Sequence, residues 1–287
     1  MKKIGFIDFF LDEWHANNFP AWIRENCQAR GRDVQLAYAW ARQAAPSGMD
    51  TAAWCAKYQV QPLPSIEAVV EQSDYLVVLS PDHPEQHEEL ARLPLMSGKP
   101  VYVDKTFSPD LRSGVRMFDL AEKHGTPMFS ASALRNAKEL AAYLEDPASR
   151  ERLEYVATTG PGKFSNYAVH QLEMIVALLG PGAARIKSLS SEHGGLYALE
   201  FPGGQRASML QIASAQFQAL LQFKAGEGKH LPECSEIFTR QIDSLLDFFA
   251  TGLPPVPRAE TLSIMALIEA GRKAVASFDT WVQVEQI

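Results

Sequence analysis

This sequence predicts an α/β protein: a doubly wound, Rossmann-type parallel sheet over residues 1–130, then an α+β domain with an open, mostly antiparallel sheet over 131–287. Three observations carry the prediction. From residue 3 to 130, short runs rich in Val, Ile and Tyr alternate with helical stretches, the pattern of βαβ units. From residue 186 to 224 the helices disappear, and short apolar runs follow one another across turn signals. The 287 residues, 46% hydrophobic and 21% charged, suffice for two ordinary domains with full cores.

In order, Lys3–Asp8 reads as a buried first strand. Asn17 and Asn18 before Phe19-Pro20 suit a helix start, because Asn caps orphan amides and Pro tolerates the first turn. That helix is expected to run to about Arg30. Strands are expected at Asp33–Trp40, Tyr75–Leu79, Val101–Phe107 and Pro127–Ser130, with helices at Thr51–Tyr58, Ser65–Glu71, Asp82–Arg92 and Pro109–His124. In the second half, helices at Asn136–Leu144, Tyr167–Leu179, Glu236–Ala250 and Ala259–Ser277 surround strands at Tyr155–Thr159, Ile186–Ser191, Leu196–Phe201, Arg206–Ile212 and Gln216–Lys224. Gly252–Pro257 is a Pro-rich connector, and Trp281–Val284 closes the chain as an edge strand. The Gly203-Gly204 pair supplies positive φ at the tightest turn.

Composition removes several function classes. A net charge of −7 without a basic run argues against a nucleic-acid partner. Cys27, Cys55 and Cys234 are odd in number and far apart, so neither a disulfide framework nor a zinc cage is expected. The amino terminus turns acidic at Asp8, too soon for a signal peptide, and no stretch reaches about 18 uninterrupted apolar residues. A cytoplasmic setting without a membrane segment is the expectation.

Chemistry-bearing residues gather at a few points. Lys105 follows a short Val-Tyr-Val run and Asp104, and a lysine at the carboxyl end of a buried parallel strand lies where open α/β sheets place ligands. Such a lysine can hydrogen-bond an alcohol or polarise a carbonyl, although many strand-end lysines are only solvated. His83 and His87 stand at i, i+4, a spacing that can bind metal, but with no third ligand they read as an acid-paired helix start and no metal is expected.

Further punctuation follows the same order. Ser80-Pro81 ends the third strong strand, Gly98-Lys99-Pro100 leads into the next, and Asp104-Lys105-Thr106 ends it. Later come Gly162-Lys163-Phe164-Ser165-Asn166-Tyr167-Ala168-Val169-His170, Leu178-Leu179-Gly180 and a long helix feeding Val282-Gln283-Val284. Over nearly the whole chain this resembles the glucose–fructose oxidoreductase / inositol dehydrogenase (Gfo/Idh/MocA) family. The family's Glu-Lys-Pro stands here as Asp104-Lys105-Thr106, and its Asp-x-x-x-His as Asn166 with His170.

The resemblance implies that His170 takes the proton of a substrate hydroxyl while a hydride leaves for a nicotinamide, and that Lys105 orients the hydroxyl. It implies NAD or NADP as cofactor, with Asp8, Ser80, Pro81 and Asp104 beside it, and a sugar- or polyol-like substrate met by Arg135 and Glu173. It also implies a homodimer or higher homo-oligomer built on the open face of the second sheet. Imidazole suits the role of base because it titrates near neutrality. Asn166, one turn earlier, can orient the ring but cannot stabilise an imidazolium as a carboxylate would; Glu173, three residues after His170, can partly supply that charge.

One partner is missing. A dinucleotide fold places a G-x-G-x-x-G turn after its first strand so that the backbone can approach the pyrophosphate. Here the strand runs into Asp8-Phe9-Phe10-Leu11-Asp12-Glu13-Trp14-His15-Ala16, with no glycine from Phe6 to Arg30. No acid follows the second strand to hold the adenosine ribose; Ala39-Trp40-Ala41-Arg42 stands there, with Arg42 facing the role of a 2′-phosphate partner. Three readings follow: an oxidoreductase that holds NAD(P) unusually, a redox-neutral acid–base enzyme on a sugar-like ligand, or a non-catalytic ligand-binding or regulatory homologue.

Overall fold

The computed structural model describes residues 1–146, 148–191 and 194–287. The chain divides into two compact units, residues 1–130 with 241–257 and residues 131–240 with 258–287.

The first unit is built on six parallel strands: β1 (Lys2–Asp8), β2 (Val34–Ala41), β3 (Gln61–Pro62), β4 (Tyr75–Val78), β5 (Val101–Val103) and β6 (Met128–Phe129), in the order β3-β2-β1-β4-β5-β6. Helices α1 (Trp14–Arg30), α2 (Thr51–Tyr58), α3 (Ile66–Gln72), α4 (His87–Leu95) and α5 (Leu111–Lys123) connect them. The order reverses between β1 and β4, and ligands of such sheets bind outside the carboxyl ends at that switch point. β4 and β5 are apolar almost end to end because helices cover both faces. Gly5 lets α3 lie directly on β1: a Cβ there would meet Ser73 Oγ at 2.3 Å and Val69 Cγ1 at 2.5 Å.

Helix α1 starts at Trp14, earlier than the Asn17–Asn18 signal suggests. The Glu13 carboxylate caps it by accepting from His15 N at 2.8 Å and from Ala16 N. The two asparagines are engaged elsewhere, Asn17 Nδ2 donating to Asp12 Oδ1 at 2.8 Å and Asn18 Nδ2 to the Trp14 carbonyl at 2.6 Å. Pro20 consequently sits inside the helix. A 3₁₀ turn at Pro84–Gln86 likewise delays α4 to His87.

The second unit contains α6 (Lys138–Leu144), α7 (Ser149–Arg152), β7 (Leu153–Gly160), α8 (Phe164–Leu179), β8 (Arg185–Ser190), β9 (Gly194–Glu200), β10 (Arg206–Ile212), β11 (Gln218–Phe223) and β12 (Gly228–Leu231). After α9 (Ile237–Thr251) come α10 (Arg258–Ala276) and β13 (Trp281–Gln283). The seven-stranded sheet runs β12-β11-β7-β10-β9-β8-β13, antiparallel except at β7–β10. Helices α8 and α10 pack together on one face. Gly271 of α10 leaves room for the Phe164 ring, which a Cβ would meet at 2.0 Å. That burial, with Phe164 against Tyr197 at 4.7 Å, starts α8 a turn before the expected Tyr167.

The opposite face of this sheet is apolar and open. Leu189 pairs with Leu196, which pairs with Leu210, and the three are 42%, 40% and 36% exposed.

The division differs from the expected 1–130 and 131–287 in one respect, because residues 241–257 fold with the first unit. The cause lies on α9. Phe249 stacks on Tyr75 at 4.7 Å, Phe248 meets the edge of Phe129 at 4.9 Å, and Gln241 Nε2 donates to the Tyr102 hydroxyl at 3.2 Å. Asp243 accepts from Asn26 Nδ2 at 2.8 Å and from Arg30 and Arg32. Among the described residues no helix is long and apolar enough to cross a membrane.

Candidate functional site

The carboxyl ends of β1, β4 and β5 bring Asp8, Ser80, Pro81 and Asp104 to the switch point of the first unit, all of them buried. Asp8 accepts from Phe9 N at 2.6 Å through Oδ1, while its buried Oδ2 has no hydrogen-bond partner among the described residues. Ser80 takes a left-handed φ of 85° and donates its hydroxyl to the His83 carbonyl at 3.3 Å. Asp104 is the hub. Its Oδ1 accepts from the Tyr102 hydroxyl at 2.9 Å and from Lys105 N at 2.8 Å, and its Oδ2 pairs with His15 Nδ1.

The electrostatics of this cluster are lopsided. Burial, reinforced by the charges of Glu13 and Asp104, pushes the Asp8 carboxyl well above its ordinary range. Burial also pushes Glu13 up to about 7 against the pull of His15 and two amides. Burial alone would raise Asp104 too, but the charge and hydrogen bond of His15, with Lys105, hold it at about 2. The rings of Phe9, Phe10 and His83 lie 5.1 to 5.7 Å apart beside these acids. The void left among Asp8, Phe9, Phe10, Glu13 and residues 80–83 is about 10 Å³, room for about one water.

A dinucleotide cradle needs free amides at the helix start, a close backbone approach and no opposing charge. At this crossing the amides of Glu13, His15 and Ala16 already have partners, bulky rings fill the approach, and carboxylates line it. Arg42, the candidate for a 2′-phosphate, is paired with Glu89 at 2.5 Å and donates to Gln86 at 3.3 Å. The residues present do not fit a diphosphate. Asp8 and Asp104, expected beside the cofactor, both lie in this cluster of acids and rings.

Lys105 is half-buried at the end of β5 and joined to Thr106 by a cis peptide bond. His170 lies in the second unit, on α8, half-buried between the edges of Tyr167 at 5.4 Å and Phe217 at 5.7 Å. Its Nδ1 is held at 2.7 Å by the hydroxyl of Ser132. Asn166, expected to orient the ring, is exposed and accepts from Ser165 Oγ at 3.1 Å. The spacing of 38 residues between Ser132 and His170 carries no periodic signal, so sequence reasoning missed the serine.

Arg135 and Glu173, expected at the substrate, are turned inward. Arg135 Nε donates to Glu173 Oε1 at 2.5 Å, and its other end pairs with Glu260 at 2.7 Å. Burial disfavours the guanidinium charge, but the two carboxylates outweigh it and raise the Arg135 pKa. Glu173 Oε2 accepts from Ser132 N at 3.1 Å, which links Glu173 to His170 through the serine. These side chains brace the loop that carries Ser132. Among the described residues no group of three or more His, Cys, Asp or Glu side chains is placed to hold a metal ion.

Residues 22–132 match the model of an oxidoreductase family with an NAD-binding Rossmann fold, GFO_IDH_MocA. No curated protein matches the sequence. Among solved structures, the myo-inositol dehydrogenase of Lactobacillus casei in complex with NAD(H) and myo-inositol shares the fold with a TM-score of 0.80 at 12% identity, covering 100% of this chain and 97% of its own. A structure described as a probable dehydrogenase of Thermotoga maritima gives 0.77 at 14% identity with 98% of each chain covered. An oxidoreductase of Bacillus cereus gives 0.74 at 12%, covering 100% and 99%. Residues 22–132 thus carry the likeness to the Gfo/Idh/MocA oxidoreductases and their NAD-binding Rossmann fold, which makes NAD or NADP a possible cofactor, while the solved structures share the fold over the whole chain. The family match begins at residue 22, after the β1–α1 crossing.

Proposed function

We propose that the protein performs acid–base chemistry on a small carbohydrate- or polyol-like molecule, with His170 as the base toward a substrate hydroxyl and Lys105 as the cation that holds that hydroxyl. The setting of His170 supports this reading most. The imidazole is held through Nδ1 by Ser132 and packed against Tyr167 and Phe217, and a fixed ring orientation suits a general base. Substrate class rests on the myo-inositol bound to the Lactobacillus casei enzyme. Three free cysteines suit a reducing, cytoplasmic setting.

A redox-neutral version of this chemistry is favoured by the closed crossing at β1. In that version His170 takes the proton from the carbon beside a carbonyl that Lys105 polarises and returns it to carbon, which needs no hydride acceptor. A panel of aldoses, ketoses and inositols incubated in D₂O, with and without NAD(P), tests both versions by proton NMR. Loss of a C–H signal without nucleotide, abolished by Lys105→Met and by His170→Asn, is the expected result. Turnover that appears only with nucleotide would leave the acid–base roles and remove the redox-neutral version; no change for any sugar would remove the proposal.

A further inference from the structure

We propose that the β1–α1 crossing is closed to dinucleotides by an internal substitute: the Glu13 carboxylate takes the place of the diphosphate at the start of α1, and the rings of Phe9, Phe10 and His83 take the space beside it. This deepens the redox-neutral reading and rests on a different part of the chain.

Several independent observations converge. A helix start attracts anions because its first amides lack partners in the helix. In this protein Glu13 supplies both carboxylate oxygens to that end, Oε2 to His15 N at 2.8 Å and Oε1 to Ala16 N, while Glu13 N donates to the Leu11 carbonyl at 2.8 Å. The geometry is that of an anion already bound, with the anion covalently part of the chain. A diphosphate would have to displace it and then sit near Asp104, whose charge already disfavours the ionised Glu13.

Space points the same way. With the void among Asp8, Phe9, Phe10 and Glu13 near 10 Å³, no phosphate enters without moving an aromatic ring. The one glycine of β1, Gly5, is used for packing against α3 and opens nothing at the strand's carboxyl end. Closure is also tied down from outside the turn. His15, on the first turn of α1, pairs with Asp104 after β5 and stacks on Phe19 at 5.5 Å, so the helix start is fastened to the far side of the switch point. Such a fastening holds the strand end before Lys105 in place without a bound cofactor.

The test is a titration of the full chain with NAD+, NADH, NADP+ and NADPH, followed by calorimetry and by ¹⁵N shifts of the His15 and Ala16 amides. We expect no saturable heat and unmoved amides up to millimolar nucleotide. Saturable binding at micromolar concentration with shifts at His15 and Ala16 would overturn the proposal, and it would do so without touching the D₂O exchange result. Inorganic pyrophosphate added to Glu13→Ala probes the carboxylate's part. Its amides at 15 and 16 should now shift, while those of the parent protein stay still. Unmoved amides in a variant whose remaining spectrum is native would show that Glu13 is not the occupant.

Discussion

A carboxylate at a helix start is ordinarily stabilising, yet Glu13 sits where its own charge is costly. Burial and the neighbouring Asp104 raise its folded-state pKa to about 7, against an ordinary value of 4.5. Between those two pH values the folded chain binds more protons than the unfolded one, so this group's contribution is full below about pH 4.5 and is lost as pH rises to about 7. Asp104, held at about 2, acts in the opposite sense and only at lower pH. Urea midpoints measured from pH 5 to 8 should therefore fall with rising pH, and Glu13→Gln should flatten that fall. Equal slopes in the two proteins would contradict the burial of this charge. At this scale the sequence revealed types better than partnerships. Lys105 and His170 stood out by position, and the crowding of Phe9, Phe10, Asp12 and Glu13 after β1 was visible. That His15 would reach Asp104, and Ser132 would reach His170, depends on contacts 89 and 38 residues apart in the chain.

Elements were legible wherever composition and period agreed. The buried runs of β1, β4 and β5 and the helix over Thr51–Tyr58 needed no tertiary information. Helix α1 was misplaced by the Asn-Asn-Phe-Pro signal because a side chain four residues ahead of Asn17 outcompeted it as a cap. Strand β12 passed unnoticed, since Gly228–Leu231 has little strand character and forms by pairing with β11. Gly5 makes a prediction at this scale. Gly5→Ala drives a methyl group into Ser73 and Val69 of the α3 contact, and should lower stability by about 1–3 kcal/mol in denaturant titration. Val69→Ala in the same chain should return part of the loss; an unchanged midpoint for Gly5→Ala would show that α3 does not rest on the strand.

At the scale of the molecule, the open face of the second sheet is the feature without a cover. A contiguous row of half-exposed leucines on a flat sheet marks an interaction surface more often than a solvated one. The expected occupant is a second copy of the chain. Light scattering at micromolar concentration should give a dimer or larger assembly, and Leu196→Lys with Leu210→Lys should reduce it to monomer; a monomeric parent protein would remove the idea. The return of residues 241–257 to the first unit has a different consequence, for how the chain could be cut or recombined. Neither unit is a single length of gene. A fragment ending at residue 130 would lose the helix that covers Tyr75, Tyr102 and Phe129, leaving a greasy, sticky flank on the nucleotide-type sheet. Transplanting either half into a relative would require three junctions, at 130, 240 and 257.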